Sequence, residues 1–134
     1  MKNLITLFLI VFSGSIYADV PTEIQGTWIP DIEKSMRLME KNMPEMDSTF
    51  MREKYLPNLK RIITEKQYVH ITNTKELKAD ISLKEKQGSN FVMLISSDSV
   101  QGLEVTFIQS DNERYIMQSN NPADGSGNII WKRQ

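Results

Sequence analysis

The sequence predicts a single α+β domain, a curled antiparallel meander of about seven to eight strands covered by an N-terminal helix-turn-helix. Three observations carry this. Apolar residues before Pro57 recur at helical spacing, those after it alternate, and the alternating runs are short and divided by turn clusters such as Gln87-Gly88-Ser89-Asn90. A chain of short strands joined by short turns has to curl or be capped to protect its edges.

Ahead of the domain, Lys2 precedes the apolar block Leu4-Ile5-Thr6-Leu7-Phe8-Leu9-Ile10-Val11-Phe12, and Ser13-Gly14-Ser15-Ile16-Tyr17-Ala18 ends it with small residues. That order is a secretory signal peptide over residues 1–18, too short for the ~20 apolar residues of a bilayer-spanning helix. The mature domain is then expected over residues 19–134, periplasmic or secreted, and Asp19 in the place a lipidated cysteine would take excludes that anchor. The chain has no cysteine, so disulfides and thiol chemistry are excluded and the fold rests on its core. Loss of Lys2 with the leader changes the formal charge from -1 to -2. Such a balance gives no net attraction to phosphate backbones, and nucleic acid is not an expected partner.

The elements follow in order. Ile24 to Ile29 reads as an opening strand, punctuated by Pro30 and Asp31. Asp31 is an N-cap with Glu33 in the positive first turn, and Ile32, Ser35, Met36, Met39 and Met43 then fall on one side of an amphipathic helix that Asn42 and Pro44 stop. A second helix, capped by Asp47 or Ser48, is expected through Phe50, Met51, Lys54 and Tyr55 up to Pro57. Beyond Leu59, Val69 and Ile71 alternate with Tyr68, His70 and Thr72, which puts His70 on the polar side. Leu77, Ala79, Ile81 and Leu83 alternate with Lys78, Asp80, Ser82 and Lys84. Phe91 to Ile95 is apolar on both faces, Leu103, Val105 and Phe107 share one face, and Asp111-Asn112 turns the chain into Arg114 to Gln118. The longest loop, Asn120 to Gly127, delivers the last strand, Asn128 to Arg133.

Gly26-Thr27-Trp28, the helix pair up to Pro57 and the terminal Trp131-Lys132-Arg133 together resemble the calycin superfamily. Lipocalins carry a Gly-x-Trp on the first strand and a late basic residue over that Trp, and the intracellular fatty-acid-binding proteins share the order Gly-x-Trp, helix-turn-helix, meander. The resemblance implies a lipocalin-like small barrel in which Gly26, Trp28, Trp131 and Arg133 are structural, with Arg133 over the Trp28 indole if the first and last strands pair. The fatty-acid-binding proteins also hold a ligand carboxylate with Arg and Tyr on late strands. Arg114 and Tyr115 are adjacent and face opposite sides of a strand, so that site does not transfer.

Met36, Met39, Met43, Met46 and Met51 concentrate in the helical region. Flexible thioethers suit an adaptable apolar binding surface, and they also suit Cu(I). Catalytic machinery is missing: there is no HExxH, no phosphate-binding loop, no dinucleotide fingerprint and no Gly-x-Ser-x-Gly elbow, and His70 is the lone histidine. The expectation is therefore a non-catalytic exported binding protein without a cofactor or resident metal. It takes a small apolar ligand or a protein segment between the Met-rich helices and the sheet, on Met36, Met39, Met43, Phe50 and Tyr55, with Leu94 and Ile108 below. The alternatives are an inhibitor or immunity-type protein acting on an exported enzyme through a surface such as the Asn120 to Gly127 loop, and periplasmic Cu(I) binding by the methionine cluster.

Overall fold

Strand alternation on both sides of the helical region produces eight strands, and pairing of the first with the last closes them on themselves. The computed structural model describes residues 18–121 and 124–134, so the signal-peptide segment up to Tyr17 lies outside the described residues. The strands are β1 Gly26–Pro30, β2 Lys60–Ile63, β3 Gln67–Ile71, β4 Glu76–Gln87, β5 Asn90–Ser96, β6 Leu103–Asp111, β7 Arg114–Ser119 and β8 Ile130–Arg133. Each pairs antiparallel with the next in chain order, and β1 pairs with β8 through Trp28 opposite Arg133 and Pro30 opposite Trp131. Closure removes the exposed sheet edge that an open meander would leave.

Two short helical stretches separate β1 from β2. The helix α1, Ile32–Asn42, is capped by the Asp31 carboxylate, which accepts the Lys34 N–H at 3.1 Å. Its buried residues are Ser35, Met36 and Met39. Ser35 Oγ accepts the Ile130 N–H at 2.9 Å, which ties the helix to the start of β8. The second stretch departs from the regular helix the periodicity predicts. Asp47 caps one α-helical turn, Ser48–Phe50, which widens into a π-helical turn over Met51–Tyr55 and tightens into a 3₁₀ turn over Leu56–Asn58. The tightening coincides with Pro57, which has no N–H to offer a continuing helix.

The ends of the first and last strands also shift. Ile24 belongs to a 3₁₀ turn, Thr22–Ile24, and β8 begins only at Ile130 because Ser126–Asn128 form another such turn. Lys60–Ile63 is a separate strand that its short, mixed sequence does not single out.

The interior follows the period-two rule. Trp28, Ile63, Tyr68, Ile81, Met93, Ile95, Val105, Phe107, Met117 and Trp131 are buried, and each large apolar side chain so buried contributes on the order of 1.5–3 kcal/mol. One end of the barrel is filled by the segment that precedes β1: Val20 and Ile24 are buried, and Trp28 donates its Nε1–H to the Ile24 carbonyl at 3.0 Å. Arg133 closes the same end. Its guanidinium lies over the Trp28 ring, with Cζ 4.5 Å from the centroid, and donates to the carbonyls of Gln25 and Glu23. Gly26 makes this approach possible. Its φ is +134°, and a Cβ there would stand 2.6 Å from Arg133 Nη1. Among the described residues, no helix is long and apolar enough to cross a membrane.

Candidate functional site

Cross-strand register brings three chemically distinct residues into one row. Trp28 of β1 is opposite Arg61 of β2, and Arg61 is opposite His70 of β3. Because Trp28 faces inward, Arg61 and His70 do as well, and Tyr68, two residues from His70, is buried beside them. The polarity pattern assigns Tyr68 and His70 to the solvent side of β3. The structure reverses that face, because this part of the barrel interior is polar while the outer surface of β3 carries the half-buried Val69 and Ile71.

Arg61 is held from several directions. Its Nε–H donates to His70 Nδ1 at 3.1 Å, and its Cζ lies 4.3 Å from the Trp131 ring centroid and 5.7 Å from that of Tyr68. Two Arg-on-Trp stacks thus bracket the barrel, with Arg133 on Trp28 at the filled end and Arg61 on Trp131 inside. Among the described residues no carboxylate forms an ion pair with Arg61, and its Nη groups donate to no protein atom. Burial and the neighbouring Arg61 charge lower the His70 imidazole to about 4, so at neutral pH it is uncharged with Nδ1 as acceptor. Burial raises the Tyr68 phenol, against a smaller opposing effect of Arg61, and keeps it neutral. Trp131 Nε1 is buried and has no hydrogen-bond partner among the described residues.

Two adjoining cavities meet at Arg61 and His70. The outer one, about 320 Å³, runs between the helical stretches and the barrel end and is walled by Met39, Met43, Phe50, Met51, Tyr55 and Leu59. The inner one, about 130 Å³, reaches between the strands to Tyr68, Ala79, Ile95, Val105 and Met117. Asp124 and Ser126 border both. Burial alone would raise the Asp124 carboxyl, but hydrogen bonds from Ser119 and Ser126 and the charge of Arg61 outweigh it and hold it low. Larger clefts of about 420 and 550 Å³ lie beside Phe50 and Asn73 and beside Ile29 and Ile71. Like the outer cavity, they are walled mostly by exposed or half-buried residues, whereas the inner cavity, which the outer one adjoins at Arg61 and His70, reaches the buried core.

The expected ligand-binding residues divide among these surroundings. Met36 and Met39 are fully buried in the core, Met39 at the cavity wall, while Met43 is half-buried there with Sδ accepting from Asn128 Nδ2 at 3.3 Å. Phe50 and Tyr55 are exposed, stacked on each other with centroids 6.4 Å apart, and form the cavity rim. Leu94 and Ile108 do not lie below the helices. Their neighbours Met93, Ile95 and Phe107 are the buried ones, so period two turns Leu94 and Ile108 outward. Arg61, Tyr68 and His70 lie outside the set of ligand-binding residues that the sequence suggests. Their signal is weak: polar or amphipathic residues two apart on β3, opposite an arginine two before the buried Ile63.

Comparison of the chain with family models, with curated proteins and with solved structures gives no match in any of the three.

Proposed function

We propose that this is an exported, calycin-like, non-catalytic binding protein that takes a small apolar ligand between its Met-rich helical stretches and the end of its barrel. The observation that carries the reading is the outer cavity of about 320 Å³, in which flexible thioethers and the Phe50 and Tyr55 rims stand over a barrel end. The helical stretches act as the lid in this reading. The π-helical turn Met51–Tyr55 buries none of its residues fully, and such turns are frequent at functional sites. Support for the calycin-like assignment is the closed barrel with Gly26 and Trp28 on its first strand and Arg133 stacked from the last.

Decanol is a suitable first probe, being apolar with one neutral polar end. It is expected to raise the melting temperature of the purified protein and to bind measurably by calorimetry. Met51→Asp, which places a charge in the cavity wall, is expected to remove both effects. Absence of binding to the folded wild type would overturn the proposal.

A further inference from the structure

We propose that Met39, Met43 and Met51 form a thioether site for Cu(I) in the wall of the outer cavity; this goes beyond the apolar-ligand reading and does not depend on it. Of the methionines that concentrate in the helical region, Met36 is fully buried in the core and Met46 stands outside the cavity walls. The other three meet there. Met39 and Met43 are one turn apart on the same face at the end of α1, and Met51, at the start of the π-helical turn, walls the same cavity. Three neutral sulfurs are the donor set that a soft monovalent ion selects.

Packing alone is the competing explanation, since thioethers also fill irregular apolar gaps. Met43 argues against it. Its Sδ accepts from Asn128 Nδ2 at 3.3 Å, and Asn128 Oδ1 in turn accepts from Asn42 Nδ2 at 2.9 Å, so a polar chain holds the sulfur of a half-buried side chain in place. Hydrogen bonds that orient a ligand atom in this way accompany metal sites, and the second lone pair of the sulfur stays available. The surrounding charges oppose one another. Arg61 borders the cavity and repels a cation, whereas ionised Asp124 and the negative end of the α1 dipole, where Met43 is the C-cap, attract one. His70 offers no lone pair, because Nδ1 accepts the Arg61 N–H and the ring proton then sits on the other nitrogen. The donor set is therefore thioether alone, suited to Cu(I) or Ag(I) and not to Zn(II), and among the described residues no group of His, Asp and Glu offers a harder alternative.

The test titrates the full chain with Cu(I) under anaerobic, reducing conditions in competition with bicinchoninate, and separately with Ag(I) while the methionine methyl resonances are recorded. The wild type is expected to take up a single Cu(I), Met43→Leu and Met51→Leu each to bind it at least about tenfold more weakly, and Met46→Leu to match the wild type. Ag(I) should shift the methyl signals of Met39, Met43 and Met51 and leave those of Met36 and Met46 in place. Absence of Cu(I) uptake by the folded wild type would overturn the site, as would equal weakening by Met46→Leu, Zn(II) held as tightly as Cu(I), or Ag(I) shifts that spare the three cavity methionines. Should a leucine variant not fold, the methyl shifts of the wild type decide alone. Decanol binding without Cu(I) uptake leaves the apolar-ligand reading standing and ends this one; Cu(I) uptake without decanol binding does the reverse.

Discussion

Arg61 donates its Nε–H to Nδ1 of His70 at 3.1 Å across the inner face of β2 and β3. The bond exists only while that nitrogen is unprotonated, and burial with the Arg61 charge sets the folded-state value at about 4 against an ordinary 6.5. Between those values the unfolded chain binds the proton more readily than the folded one. Stability contributed by neutral His70 is therefore complete above about 6.5 and is lost as pH falls toward about 4. The half-buried ring is partly screened by solvent, so a loss on the order of 1–2 kcal/mol is expected, read from urea midpoints across that window. His70→Asn does not titrate, and its profile should be flatter there; parallel profiles for both proteins would contradict this assignment.

At the filled end, Gly26, Trp28 and Arg133 form one unit. Arg133→Ala should cost about 1–2 kcal/mol from the lost ring stack and carbonyl contacts, and Arg133→Lys should restore only part of it. Gly26→Ala is strained by its positive φ and collides with the guanidinium, so a cost of about 1–3 kcal/mol is expected. The two changes share a contact, and the double variant should lose less than the sum of the singles. Additive losses in denaturant titrations would mean that Gly26 is required for its backbone conformation alone.

The two tryptophans are both fully buried; Trp28 donates its indole N–H to the Ile24 carbonyl at 3.0 Å, whereas that of Trp131 has no partner among the described residues. Replacement by Phe removes similar volume from each. Trp28→Phe additionally orphans a buried carbonyl, and should cost about 1 kcal/mol more than Trp131→Phe. Equal costs would indicate that the Trp131 N–H also has a partner in solution.

Asp31 serves two elements at once, capping α1 through Lys34 N and accepting Arg114 Nε at 2.9 Å from β7. Arg114 also pairs with Asp111 across the turn. Asp31→Asn keeps a capping oxygen and removes the charge, whereas Asp31→Ala removes both. Thermal unfolding should rank wild type, Asn, then Ala, with the Ala variant about 1–3 kcal/mol less stable than the wild type. An Asn variant as unstable as Ala would assign the whole effect to the ion pair.

Much of the barrel is legible in the sequence, and the reason is physical. Leu77 to Leu83 and Leu103 to Phe107 are long enough for period-two burial to show, and Gly26-Thr27-Trp28 with Arg133 signals how the first and last strands meet. Asp31 announces α1 because a carboxylate before an apolar helical run has one good use. The site is less legible. On β3 the apolar-in rule fails, because the inward face carries Tyr68 and His70 to hold Arg61, while Val69 and Ile71 take the outer face. Leu94 misleads for a related reason: in a strand with apolar residues on both faces, composition does not say which face is inside. Ile108 shares its face with Glu104 and Thr106, opposite Leu103, Val105 and Phe107, so the period of two already turns it outward. The widened turn at Met51–Tyr55 has no sequence mark beyond the approaching Pro57.

The central claim is that a small apolar molecule enters between the helical stretches and the barrel end, and backbone amide chemical shifts during titration with decanol test it most directly. The account predicts saturable shifts concentrated at Met39, Met43, Met51, Tyr55, Arg61 and His70, with Leu94 and Ile108 on the outer wall unmoved. Saturation with no shift at the first set, or shifts confined to the outer wall, would contradict it.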